Sequence, residues 1–295
     1  MSTPIPTTTP SSVAGGSGGS GGRGRRRQGA RRSSALSLGL ARAGLELRQF
    51  SRERTSMVFT FAFPIVMLVI FGSVFPDEIA PGVSFRQYFA AGMIATGVML
   101  SSFQQLAIGI AVERDDGTLK RLRGTPMPPL AYFLGKIGQV LVSSLIQAAI
   151  MLGAGRALFG LHLPSSPDLW LRFTWVFALG TTAGTVLGIA FSAVPRSGKS
   201  ASAIVSPVMI ILQFVSGVYF VFSTLPTWMQ DIGSLFPLKW LAQGMRSVFL
   251  PASFESQEVS GSWQLGLTAL ILAGWMIAGL ALCLRTFRWQ RRDAG

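Results

Sequence analysis

Six long apolar runs with no acidic, basic or imidazole side chain inside them constrain this chain more than any other feature. They fall at about residues 57–75, 88–112, 137–155, 173–193, 202–222 and 264–284, each about 19–25 residues, long enough for a hydrocarbon core of about 30 Å. A charge at the bilayer centre costs about 2.5–3.5 kcal/mol even on the lenient insertion scale, so their absence from these runs is meaningful. Only 13% of the chain is charged and 49% is hydrophobic, against about 25% charged in a soluble domain. The expected fold is therefore an all-α membrane protein with six transmembrane helices. Pro64 and Pro207 predict modest kinks in the first and fifth.

Charge placement sets the expected orientation. Ten of the lysines and arginines precede residue 57, five lie in 113–136, two in 194–201 and four after 284. The other side receives Arg86, Arg156, Arg172, Lys239 and Arg246. A bias of this kind predicts a multi-pass membrane protein with both termini cytoplasmic. The net charge of +14 does not point to nucleic acid, because the basic residues flank apolar runs. Cys283 has no second cysteine to pair with, and His162 has no neighbours in sequence that would build a metal or catalytic site; no metal is expected.

The domain reading has three parts. Residues 1–35, Thr/Pro-rich, then Gly/Ser-rich, then Arg-rich, read as a disordered basic cytoplasmic tail. Residues 36–56 read as an interfacial amphipathic helix, with Leu36, Leu40, Leu47 and Phe50 at near-helical spacing among Arg42, Arg48, Arg52 and Arg54. Residues 57–295 form the six-span unit. Its longest external segment, 223–263, predicts two short amphipathic helices broken at Pro226 and Pro237. Trp228 and Trp240 are expected at headgroup level, and the segment serves either as a lid or as a cap that closes the bundle.

The stretch Ala193 to Ser200 nearly spells a phosphate-binding loop, but its first glycine is Ala193, Pro195 removes a backbone donor, and an apolar helix precedes it where a strand is needed. It reads as a basic turn, and the chain is expected to hydrolyse no ATP unaided. Gly180, Gly184 and Gly188 place small residues four apart, a strip for close helix packing within the subunit or between subunits. Gln104 and Gln213 can bond across helices or face a substrate path.

After the second run come Glu113, Arg114, Asp115, Asp116, Gly117, Thr118, Leu119 and Lys120. Acids precede bases, which suits a short helix, and Asp116 can pair with Lys120. Thr125-Pro126 and Gly135-Lys136 follow. This order resembles the type 2 ATP-binding-cassette permeases, whose second span ends in Glu-Arg-Glu-x-Gly-Thr-Leu, with Asp115 here in place of a glutamate. Phe236 to Arg246 is similar to the stretch before that family's last span. The resemblance implies a permease subunit of an ATP-driven exporter with an N-terminal interfacial helix, a cytoplasmic coupling helix at 113–120 and external re-entrant helices. It also implies a separate ATPase chain carrying ATP and magnesium, no cofactor on this chain, and a second permease copy, a homodimer by expectation. Spans two and five would line the path, through Phe103, Gln104, Met209, Gln213, Phe214 and Tyr219. Their aromatic, Met and Gln character suits an amphipathic drug, antibiotic, lipid or glycan. Two other readings share the topology: a non-transporting membrane anchor, and an ion-coupled carrier, which the absence of intramembrane charge disfavours.

Overall fold

A computed structural model describes residues 35–52, 54–75, 78–125 and 128–286. The basic tail, Pro126 and residues 287–295 lie outside the described residues. Among those described, the chain is almost wholly helical. In order come α1 (Ala35–Arg52), α2 (Arg54–Val74), a hairpin of β1 (Glu78–Ala80) and β2 (Val83–Ser84), α3 (Phe85–Met99), a π-helical turn (Leu100–Gln105), α4 (Leu106–Asp115) and α5 (Thr118–Arg123). Then follow α6 (Pro129–Phe159), α7 (Pro167–Phe191), α8 (Gly198–Val215), α9 (Thr227–Leu235), α10 (Pro237–Phe249) and α11 (Leu265–Thr286).

Five stretches are long and apolar enough to cross a membrane: Phe85–Asp115, Leu130–Phe159, Pro167–Phe191, Gly198–Val215 and Leu265–Arg285. Within α2, Phe61–Val74 is a shorter apolar stretch. The first of the five is continuous through its π-turn, 31 residues or about 46 Å at 1.5 Å per residue. It runs from the hairpin end of the bundle, where Tyr88 meets α10, to the α5 end, where Glu113 meets α6. Between them lies a core of Phe89, Met93, Ile94, Val98, Met99 and Phe103 from this helix, packed on α6, α7 and α10.

Two elements differ from the sequence reading, α8 in where it ends and α10 in what surrounds it. The fifth run extends through residue 222 in composition, yet α8 ends at Val215 and the chain turns at Gly217, which adopts φ +69°. A side chain there would be strained in that left-handed conformation and would also press on Phe222. α10 differs in kind. Every residue from Pro237 to Phe249 is buried, and Trp240, expected at headgroup level, is covered and donates its Nε1–H to the Ser234 carbonyl at 2.7 Å. The helix is amphipathic because its polar face is enclosed by protein, not because it lies on lipid. Trp228 of α9, by contrast, is exposed.

Helix starts follow their caps. Ser84, Ser166 and Ser197 accept from the amides three residues on, and the last forms a reciprocal pair with Ser200. The near-miss phosphate loop is thus a helix N-terminus, its residues 198–200 forming the first turn of α8.

Candidate functional site

The residues 113–120 divide into an inward half and an outward half. Glu113 ends a span and turns in. Its carboxylate accepts from Lys136 Nζ at 2.5 Å and from Tyr132 Oη at 2.7 Å, both on α6, and lies 3.9 Å from Arg42 on α1. Lys136 also reaches Glu46 at 2.8 Å, and Glu46 holds Arg42 at 2.6 Å, one helical turn away on α1. Two acids and two bases from three helices therefore neutralise each other in a site where Lys136 is 5% exposed and Glu113 is 16% exposed. Burial of such charges is tolerable only when every one is paired.

Arg114 and Asp115 turn the other way. Arg114 Nη2 donates to the Ser192 and Pro195 carbonyls at 2.8 and 3.0 Å, and Asp115 accepts the Gly198 amide at 3.0 Å, at the start of α8. The end of α4 is thus held by α1 and α6 on one side and by the α7–α8 turn on the other. Beyond it, Asp116 accepts the Thr118 amide at 2.8 Å and so starts α5. Gly117 makes the turn with φ +78°, a conformation other residues rarely adopt. Leu119 is buried against the cluster of Leu106, Ile110 and Tyr132, while Lys120 and Arg121 stay exposed on α5. Arg121 bonds back to the Asp116 carbonyl at 3.2 Å.

The path residues named from sequence differ in exposure. Phe103 is buried against Phe191, and Met209 is buried in the core. Gln104 lies 3.4 Å from Ser206 on α8, across the helix pair expected to line the path. Gln213 accepts from Tyr219 Oη at 2.5 Å, and burial pushes the Tyr219 phenol up. Phe214, 42% exposed, is the member that opens outward. The glycine strip faces elements of this same chain: Gly180 meets Leu241, Gly184 meets Ser102, and a Cβ on Gly188 would lie 2.7 and 2.8 Å from the Ser102 and Phe103 carbonyl oxygens.

Sequence reasoning missed a second charge cluster, at the opposite end of the long helix. Arg246 on α10 is fully buried, with Nε on Glu258 at 3.0 Å and Nη1 on Tyr88 Oη at 2.9 Å and the Gly217 carbonyl at 3.2 Å. Tyr88 in turn donates to the Gly217 carbonyl at 3.1 Å and accepts the Phe222 amide at 2.9 Å. Burial acts to lower the Arg246 pKa, but Glu258 and Tyr88 outweigh it and hold the group charged. Lys239, on the same helix, is pushed down to about 8 by burial, with Arg246 adding to the effect and Glu258 opposing it. The missed signal was the placement of two cations seven residues apart, on one face of a short and mostly apolar helix.

An almost wholly helical bundle with five helices long and apolar enough to cross a membrane, and charge networks at both ends of its longest one, defines a multi-pass membrane protein. The family model for ABC-2 family transporter proteins matches residues 78–285, and the chain belongs to that family. It is similar to YvfS of Bacillus subtilis (strain 168), named as a transport permease, at 26% identity over 197 residues, covering 65% of this chain and 77% of YvfS. It is also similar to YbhR of Escherichia coli (strain K12), named as a multidrug ABC transporter permease, at 21% identity over 173 residues. That match covers 58% of this chain and 45% of YbhR, so the chain spans less than half of that relative's length. The chain is a transmembrane permease of an ABC transporter, a transport subunit whose family works with an ABC ATPase.

Proposed function

We propose that this permease is the membrane half of an ATP-driven exporter of amphipathic substrates, working as a homodimer with two copies of a separate ATPase that carries ATP and magnesium. The proposed topology has six spans, with α2 as the first and α1 along the membrane surface. The tail, the α5 end and the C-terminus lie in the cytoplasm of a bacterial inner membrane, and the α9–α10 segment lies outside. The multidrug name of YbhR supports the substrate class, and the excess of Lys and Arg at the α5 end supports the orientation.

The observation that carries the reading is the clamp around α4. A push on the exposed tip of α5 is carried by Glu113 into α1 and α6, and by Arg114 and Asp115 into the α7–α8 turn. In this reading Asp116, Lys120 and Arg121 meet the ATPase, while Glu113, Arg114 and Asp115 distribute the movement. The test compares the permease–ATPase complex carrying Arg121→Glu with one carrying Glu113→Gln. The tip change should weaken co-purification of the ATPase and leave the thermal stability of the permease alone. The Glu113 change should lower that stability while the ATPase still binds. The reverse pattern overturns the assignment.

A further inference from the structure

The end of the bundle that carries α10 holds buried positive charge in excess of the acid that faces it. Arg246 commits Nε and Nη1, and its Nη2 is buried without a hydrogen-bond partner. Lys239 is 4% exposed, and its ammonium faces rings: 3.5 Å from the Trp240 centroid and 5.2 Å from that of Phe222. Glu258 is the acid whose charge reaches both cations, and its bond goes to Arg246. Lys239 and Arg246 are two turns apart and so share a face of α10. Both converge on one loop, since Phe222 lies under Lys239 and residue Gly217 accepts from Arg246.

The other side of that loop is aromatic. Tyr219 packs at 4.9 Å on Phe214, and Phe220 at 6.2 Å on Phe75. Phe214 and Phe220 are both open to the surroundings of the bundle. Seven residues of chain thus divide a cationic wall from an exposed apolar one, a division that matches a molecule with a charged head and an apolar tail.

We propose that the 216–222 loop and the start of α10 bind the anionic headgroup of an amphiphile, with Lys239 as its ionic contact and Phe214 and Phe220 as the surface for its apolar part. Arg246, pinned by Glu258 and Tyr88, supplies field and not contact. A desolvated ammonium without a carboxylate gains more from an incoming phosphate or carboxylate than a hydrated one would. Transport of such a ligand rests on the permease reading; its binding does not.

The test is a thermal-shift titration of the purified full chain in neutral detergent with lysophosphatidylglycerol, the monoacylglycerol of the same chain length, and inorganic phosphate. Lysophosphatidylglycerol should give a saturable rise in Tm, and the neutral lipid should not. Lys239→Gln should weaken apparent affinity about tenfold, as for loss of one charge-assisted hydrogen bond, and Lys239→Arg should retain it. The unaltered chain gives a second reading: raising the pH from about 7 to about 9.5 crosses the Lys239 titration and should weaken binding in the same way. An equal response to the neutral lipid, or an unchanged titration in Lys239→Gln, overturns the site. An equal shift with inorganic phosphate alone overturns the amphiphile and leaves a plain phosphate site. Loss of binding with ATP-dependent transport intact removes this proposal alone, and binding without such transport removes the exporter reading alone.

Discussion

The two ends of the long helix that begins at Phe85 solve the same problem differently. At the α5 end, four charges on three helices share partners: Lys136 has both Glu46 and Glu113, and Glu46 has both Arg42 and Lys136. At the α10 end, one pair, Arg246 and Glu258, is enclosed with exposures of 0% and 4%, and among the described residues no second acid forms an ion pair with Arg246. The first arrangement can lose a member and re-pair, which suits the movement proposed for the α5 end. The second can only be made or broken, which suits a pin that fixes α10, the 217–222 loop and the 252–258 segment to the core. A buried ion pair adds little net stability, but removing one partner strands a charge.

The contrast predicts a ranking. The largest effect should come from Glu258→Ala, which leaves Arg246 buried and unpaired and should cost about 3–5 kcal/mol, read as lost expression or a large drop in Tm in detergent. Arg246→Met in the same chain should recover much of the loss; failure to recover it would mean that Glu258 acts through something other than this pair. Next is Gly188→Leu. Its side chain would meet the carbonyls of the π-turn, which cannot retreat as a flexible side chain could. About 1–3 kcal/mol is expected, and normal Tm would mean that α7 does not press on that turn. Glu113→Gln should cost less, about 1–2 kcal/mol, because Lys136 keeps Glu46 and the amide still accepts from Tyr132. A loss as large as that of Glu258→Ala would erase the distinction between the two clusters.

The last expectation, read against pH and not by substitution alone, is a stability slope at the α10 end. Lys239 has its folded pKa lowered to about 8 from 10.5, so between those values the unfolded chain holds more protons. Stability should therefore rise with pH across that window, and below about 8 the penalty should be constant. Lys239→Met should flatten the slope; an identical slope in that variant would assign it to another group.

Much of the fold is legible in the sequence because hydrocarbon leaves a chain few choices: backbone polar groups must pair within a helix, so long charge-free runs become helices. α3–α4, α6, α7 and α11 follow from that rule. The end of α8 does not, because Ser216 to Val221 is apolar enough to continue a span, and Gly217 was the one local sign of a turn. The burial of α10 was hidden for a related reason. Its pattern fits a lipid surface or a protein groove equally, and only tertiary contacts between Arg246, Tyr88 and Glu258 decide. At the α5 end, the charged segment and Gly117 were visible, but the inward turn of Glu113 depends on Tyr132 and Lys136, brought close by the packing of α6 rather than by proximity in the chain.

The central claim is that force enters at the α5 tip and passes through the clamp on α4. The most direct measurement is substrate-stimulated ATP hydrolysis by the reconstituted permease–ATPase complex carrying Lys120→Glu and Arg121→Glu, beside the Tm of the permease alone. The account predicts an unchanged Tm, because both side chains are exposed, together with stimulation lost at least about tenfold, an energetic change of about 1.4 kcal/mol in coupling. Full stimulation with both charges reversed would contradict it.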